Sequence, residues 1–150
     1  MNYLPIKFSV IILLFCLFVG VNSVSAEEKI PVNRSAKDGD ITLTVNEYSI
    51  KDDGNAIAVH YSVTCDTTCK KLNKTSIGEL IESPDVYIGD KRVHGHASGI
   101  ERVSKNKYVG TQKITIPEFK PKRQSGFHVS FNTDAILDKA GQWTIEWNVK

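Results

Sequence analysis

Two cysteines four positions apart, Cys65 and Cys69 in the stretch Thr-Cys-Asp-Thr-Thr-Cys, are the residues best placed by type to do chemistry. Paired thiols can close a disulfide, cycle as a redox centre or contribute two of the four ligands of a zinc site. His94 and His96 are the natural completion of such a site, because an i, i+2 spacing on a strand sends both rings to one face. Lys70 and Lys71 would lower the thiol pKa of Cys69 and favour attack if the pair cycled. No serine sits in an elbow of the G-x-S-x-G kind, and no glycine-rich loop opens a helix to cradle phosphate. The adjacent carboxylates Asp52 and Asp53 belong to a turn, where solvation accounts for them. Lys120, Lys122 and Arg123 form a proline-stiffened basic loop that can meet an anionic surface, or serve only as a solvated connection.

Compartment decides among the uses of the cysteines. Lys7, the apolar run Phe8 to Val21 and the small residues Val24-Ser25-Ala26 have the order of a secretory signal, with cleavage expected before Glu27. The run is shorter than the roughly 18 residues a spanning helix needs, so a retained anchor is the lesser reading. Cys16 lies inside this run and leaves with it. Removing residues 1–26 from the 150 leaves 124, one domain with a real core. The chain has 19 basic and 17 acidic side chains, and loss of Lys7 brings its net charge from +2 to +1. That balance argues against general nucleic-acid binding. For a secreted domain the expected state of Cys65 and Cys69 is a disulfide, and no cofactor is implied. The mature protein is expected to have no transmembrane domain.

Residues 27–40 are polar and non-periodic and read as a flexible lead-in; beyond them the dominant period is two. Ile41, Leu43 and Val45 alternate with polar residues, and the phase then slips so that Tyr48 and Ile50 are apolar, which predicts a β-bulge near Asn46-Glu47. Ile57, Val59, Tyr61, Val63 and Cys65 share one face of the next strand, with His60 solvated on the other. The two strands read as an antiparallel hairpin. Residues 66–84 lose the alternation and are expected to form a loop with a short helical turn around 76–81. Gly89-Asp90 then joins two short strands, with Val86 opposite Val93 and Asp85 opposite His94. Further strands are expected at Tyr108 to Ile116, at Phe127 to Phe131 with His128 solvated, and at Trp143 to Val149. Burying each tryptophan removes roughly 200 Å² from water, up to about 5 kcal/mol, so the last strand belongs to the core.

About seven alternating strands without a long helical pattern predict an all-β, antiparallel β-sandwich over 41–150. The succession ITLTVNEYSIKDDGNAIAVHYSVT, DVYIGDKRVHGHASG, NKYVGTQKITIP and AGQWTIEWNVK resembles the immunoglobulin-like domain of unknown function found in extracytoplasmic and anti-sigma-factor-type surface proteins of Gram-positive spore-forming bacteria. That resemblance implies that the β-sandwich is immunoglobulin-like, and it implies an envelope setting. The cysteine pair stands outside the family pattern, and such domains usually accompany other modules. The expected function is therefore a secreted, non-catalytic module, extracellular or envelope-associated, that binds a protein or cell-envelope component. The alternative is a thiol or metal protein built on Cys65, Cys69, His94 and His96.

Overall fold

A computed structural model describes residues 27–51, 55–72, 80–81, 84–115 and 127–149. The described residues form nine strands: β1 Lys29–Asp38, β2 Ile41–Lys51, β3 Ala56–Cys65, β4 Asp85–Ile88, β5 Lys91–Val93, β6 Gly95–Ser104, β7 Lys107–Thr115, β8 Phe127–Ile136 and β9 Lys139–Val149. They pair antiparallel into a five-stranded sheet of order β1-β2-β3-β7-β6 and a four-stranded sheet of order β5-β4-β8-β9. The expected signal segment, the turn at 52–54, residues 76–79 of the suggested helical turn and the basic loop with Lys120, Lys122 and Arg123 lie outside the described residues. The end of that suggested turn is not helical, since Ile81 bridges Ile136 and the Leu80 carbonyl accepts from the Leu137 amide at 3.0 Å.

Inward faces supply one continuous core, which makes the arrangement β-sandwich-like. Leu43, Val45, Val59 and Val63 from one sheet and Val86, Phe131, Trp143 and Ile145 from the other are buried in the same cluster. The rings of Tyr61 and Phe131 meet across the sheets with centroids 6.1 Å apart, and Tyr48 meets Trp147 at 6.4 Å. Burial raises the Tyr61 hydroxyl to about 12, and its ring lies over Gly110, where a Cβ would fall 2.4 Å from it. Trp143 is 1 % exposed, and its indole N–H donates to the Ile41 carbonyl at 3.1 Å, joining the last strand of one sheet to the other. Near this point Asp38 Oδ2 accepts from the Gln142 amide at 2.7 Å, and Lys139 donates to Asp40 at 2.8 Å. The Lys139 hydrogen bond holds the Asp40 carboxyl below its ordinary range.

The expected phase slip is present. β2 and β3 form the hairpin, and their register shifts between Val45 and Glu47, leaving Asn46 as the extra residue. Val86 pairs with Val93 as expected, and Gly89 takes φ +57° in the turn, a conformation that glycine adopts at no steric cost. Asp85 does not pair with His94: β5 ends at Val93, the ladder partner of Asp85 is Asn132, and its carboxylate bonds Arg92.

Two strands depart from expectation. Residues 29–38 are not a flexible lead-in but the edge strand β1, paired with β2 from Lys29↔Ser49 to Asp38↔Ile41. Its alternation is broken by a register shift between Pro31 and Arg34, where Asn33 takes φ +51°. β6 was not expected either. Shifts at Ala97/Gly99 and Arg102/Ser104 each insert a residue, so no period of two survives along it.

Candidate functional site

The cysteine pair comes first. The sulfurs of Cys65 and Cys69 are bonded, with an S–S distance of 2.11 Å, and both residues are buried, at 3 % and 2 % exposure. The closed loop rests on the β6–β7 turn: the Cys65 amide donates to the Asn106 carbonyl at 2.9 Å and the Cys69 amide to the Lys105 carbonyl at 3.0 Å. Beyond it, the Tyr108 hydroxyl donates to the Lys70 carbonyl at 3.0 Å and accepts from the Leu72 amide at 3.2 Å. Arg102 lies 5.7 Å from the Tyr108 ring centroid, a cation–π distance, and donates to the carbonyls of Cys69 and Lys105. The pair is thus a staple fastening residues 66–72 to the rim of the five-stranded sheet.

His94 and His96 are exposed at the other end of the molecule. His96 pairs with Lys113 on β7, whereas the staple lies beside Lys107; six residues of strand separate them, about 20 Å. The sheet register therefore does not bring Cys65, Cys69, His94 and His96 together, and this corrects the four-ligand alternative. Among the described residues no group of three or more His, Cys, Asp or Glu side chains is placed to hold a metal ion.

The outer face of each sheet carries a concave surface. On the five-stranded sheet a cleft of about 500 Å³ is lined by Asn46, Glu47, His60, Gly99, Glu101 and Thr111, among others. The β2 bulge adds Asn46 to the outward face beside Glu47, next to His60 on β3, and Gly99 on β6 leaves room above Thr111. His60 is not simply solvated. Its Nδ1 is 3.0 Å from Thr111 Oγ1, and its Nε2 is buried with no hydrogen-bond partner among the described residues. Desolvation, reinforced by Lys29 and Lys51 and opposed by Glu47, lowers its pKa, so the ring is neutral at pH 7. His128 is on an outward face as expected, 48 % exposed, with its Nδ1 3.1 Å from Asn148 Oδ1.

On the four-stranded sheet a groove of about 640 Å³ is lined by Asp85, Arg92, Asn132, Thr133, Asp134, Gln142 and Thr144. Every lining side chain is polar. Asp85, Asn132 and Thr144 form one outward row across β4, β8 and β9, in which Asp85 pairs with Asn132 and Asn132 with Thr144. Ser130 fixes the Asn132 amide: Asn132 Nδ2 donates to Ser130 Oγ at 3.1 Å. Neither surface was singled out from the sequence. Only the outward alternation of the separate strands was visible there.

No family model matches the sequence, and no curated protein matches it at the sequence level. Among solved structures the fold is similar to that of a conserved domain protein from Bacillus anthracis, with a TM-score of 0.57 and 18 % identity. The likeness covers 81 % of this chain and 41 % of that one, so the chain spans less than half of its structural neighbour's length. At this identity the likeness is one of fold: all-β, antiparallel and sandwich-like.

Proposed function

We propose that the chain is a secreted, non-catalytic immunoglobulin-like module that binds a protein or cell-envelope component. The observation that carries this reading is the all-polar groove on the four-stranded sheet, a preformed surface whose side chains project from paired strands rather than from loops. A disulfide at the rim suits an oxidising compartment. Among the described residues no helix is long and apolar enough to cross a membrane. The test of binding is affinity recovery from an envelope fraction with the purified protein as bait. A reproducible saturable partner is expected, and repeated recovery of none would overturn the reading. The test of secretion is the mass of the exported protein, which should begin at Glu27 and gain two alkyl groups only after reduction.

A further inference from the structure

We infer that the groove on the four-stranded sheet is a binding site for an uncharged glycan, a deepening that rests on the envelope-binding reading above. The groove's lining includes two carboxylates, Asp85 and Asp134, against one cation, Arg92, and Arg92 already bonds Asp85. A polyanion, whether nucleic acid or a phosphate-bearing wall polymer, would meet a net negative surface there. A peptide anchored by apolar side chains would find no pocket for them, because every lining side chain is polar.

What remains are groups that both donate and accept. Asn132 and Gln142 each present an amide with a carbonyl oxygen and an NH₂, and Thr144 presents a hydroxyl. Sugar hydroxyls likewise donate and accept, so they can pair with such groups in either sense. Asn132 and Thr144 stand opposite each other on adjacent strands, about 4.8 Å apart across the sheet, and Gln142 is two residues from Thr144 along β9, about 7 Å away. The geometry is preorganised, since the backbone is laddered on β8 and β9 and Ser130 holds the Asn132 amide. Tyr87, half-buried, lies in the neighbouring outward row between Arg92 and Ser130, beside the groove rather than in its lining.

The experiment is an amide-resolved NMR titration of the purified protein with two neutral probes, cellotetraose and the tetramer of N-acetylglucosamine, and with polyphosphate as the anionic control. With at least one neutral probe, saturable shifts are expected at β4, β8 and β9 below about 10 mM, a weak affinity of the order of 3 kcal/mol or better. Polyphosphate should not shift them. Asn132→Ala combined with Gln142→Ala should weaken binding at least tenfold with an unchanged melting temperature, and Thr144→Ala serves as the milder variant if the double one unfolds. No shift at these strands with either neutral probe, or tighter binding of polyphosphate there, overturns the glycan site. An envelope partner recovered in that case, mapping elsewhere, would leave the module reading standing; no partner at all would remove both.

Discussion

The outward rows of the five-stranded sheet are interrupted, whereas those of the four-stranded sheet run nearly unbroken across β4, β8 and β9. Both sheets alternate with the same period and share one core. Yet three register shifts and a glycine carve a cleft with a partly enclosed histidine on one side, and on the other the unshifted row Asp85, Asn132 and Thr144, with a single bulge at Asp134 beside it, lays out a polar groove. The difference shows that hydrophobic alternation decides which residues enter the core, while bulges and strand order decide what the remaining residues can do together. A bulge brings an extra side chain to the surface and can shield its neighbours. Regular pairing leaves side chains in rows and open to a ligand.

The shared core is the point where the comparison breaks most completely. Trp143→Ala should cost about 3–5 kcal/mol, a large share of the stability of an ordinary domain, and loosen both surfaces at once. Removal of β9 by truncation after Gly141 should leave no cooperative transition. Urea denaturation followed by tryptophan fluorescence, with Trp147 as reporter for the substitution, and circular dichroism for the truncation, reads both.

Loss of the staple should separate the faces. Closing a loop of about five residues contributes roughly 2 kcal/mol by constraining the unfolded chain, so Cys65→Ala with Cys69→Ala should lower stability by about that much. Because the stapled loop rests on Lys105 and Asn106, hydrogen exchange should quicken at the β6–β7 turn well before β8 and β9. Equal quickening on both sheets would mean that the loop supports the whole sandwich.

Asp85→Ala removes the partner of Arg92 at a surface where both side chains are more than a third exposed, and should cost no more than about 1 kcal/mol. Its effect belongs to ligand contact. A larger loss of stability by thermal melting would show the groove to be a structural element of the sheet.

The smallest effect concerns pH. Because the folded state holds the His60 pKa below the ordinary value of about 6.5, the unfolded chain takes up more protons as pH falls through that value. His60 is therefore neutral in its effect on stability at higher pH and destabilises the fold progressively below about 6.5, until the folded ring also protonates. His60→Gln should flatten this part of the melting-temperature profile. An unchanged profile would place the His60 ring in free contact with solvent.

Much of this architecture is legible in the residues. The β3 face, the Asn46 bulge, the Val86↔Val93 register and the core role of Trp143 and Trp147 follow from apolar alternation, because burial is a local property of each strand. β1 and β6 escape the same reading. Pro31 and the left-handed Asn33 interrupt the first, and Gly95, Gly99 and two inserted residues interrupt the second, so pairing with β2 and β7 rather than local pattern makes them strands. The groove escapes for another reason. Asp85, Asn132 and Thr144 become neighbours only through the order β5-β4-β8-β9, which local sequence does not encode. His60 looked like any outward polar residue until Thr111, Glu47 and Gly99 were placed around it.

Co-sedimentation of the protein with purified cell walls, comparing the natural chain with Asn132→Ala/Gln142→Ala at equal concentration, tests the central claim most directly. Saturable binding by the natural chain and its loss in the variant is the expected result. Undiminished binding by the variant, or none by the natural chain, would contradict a module that meets the envelope through its four-stranded sheet.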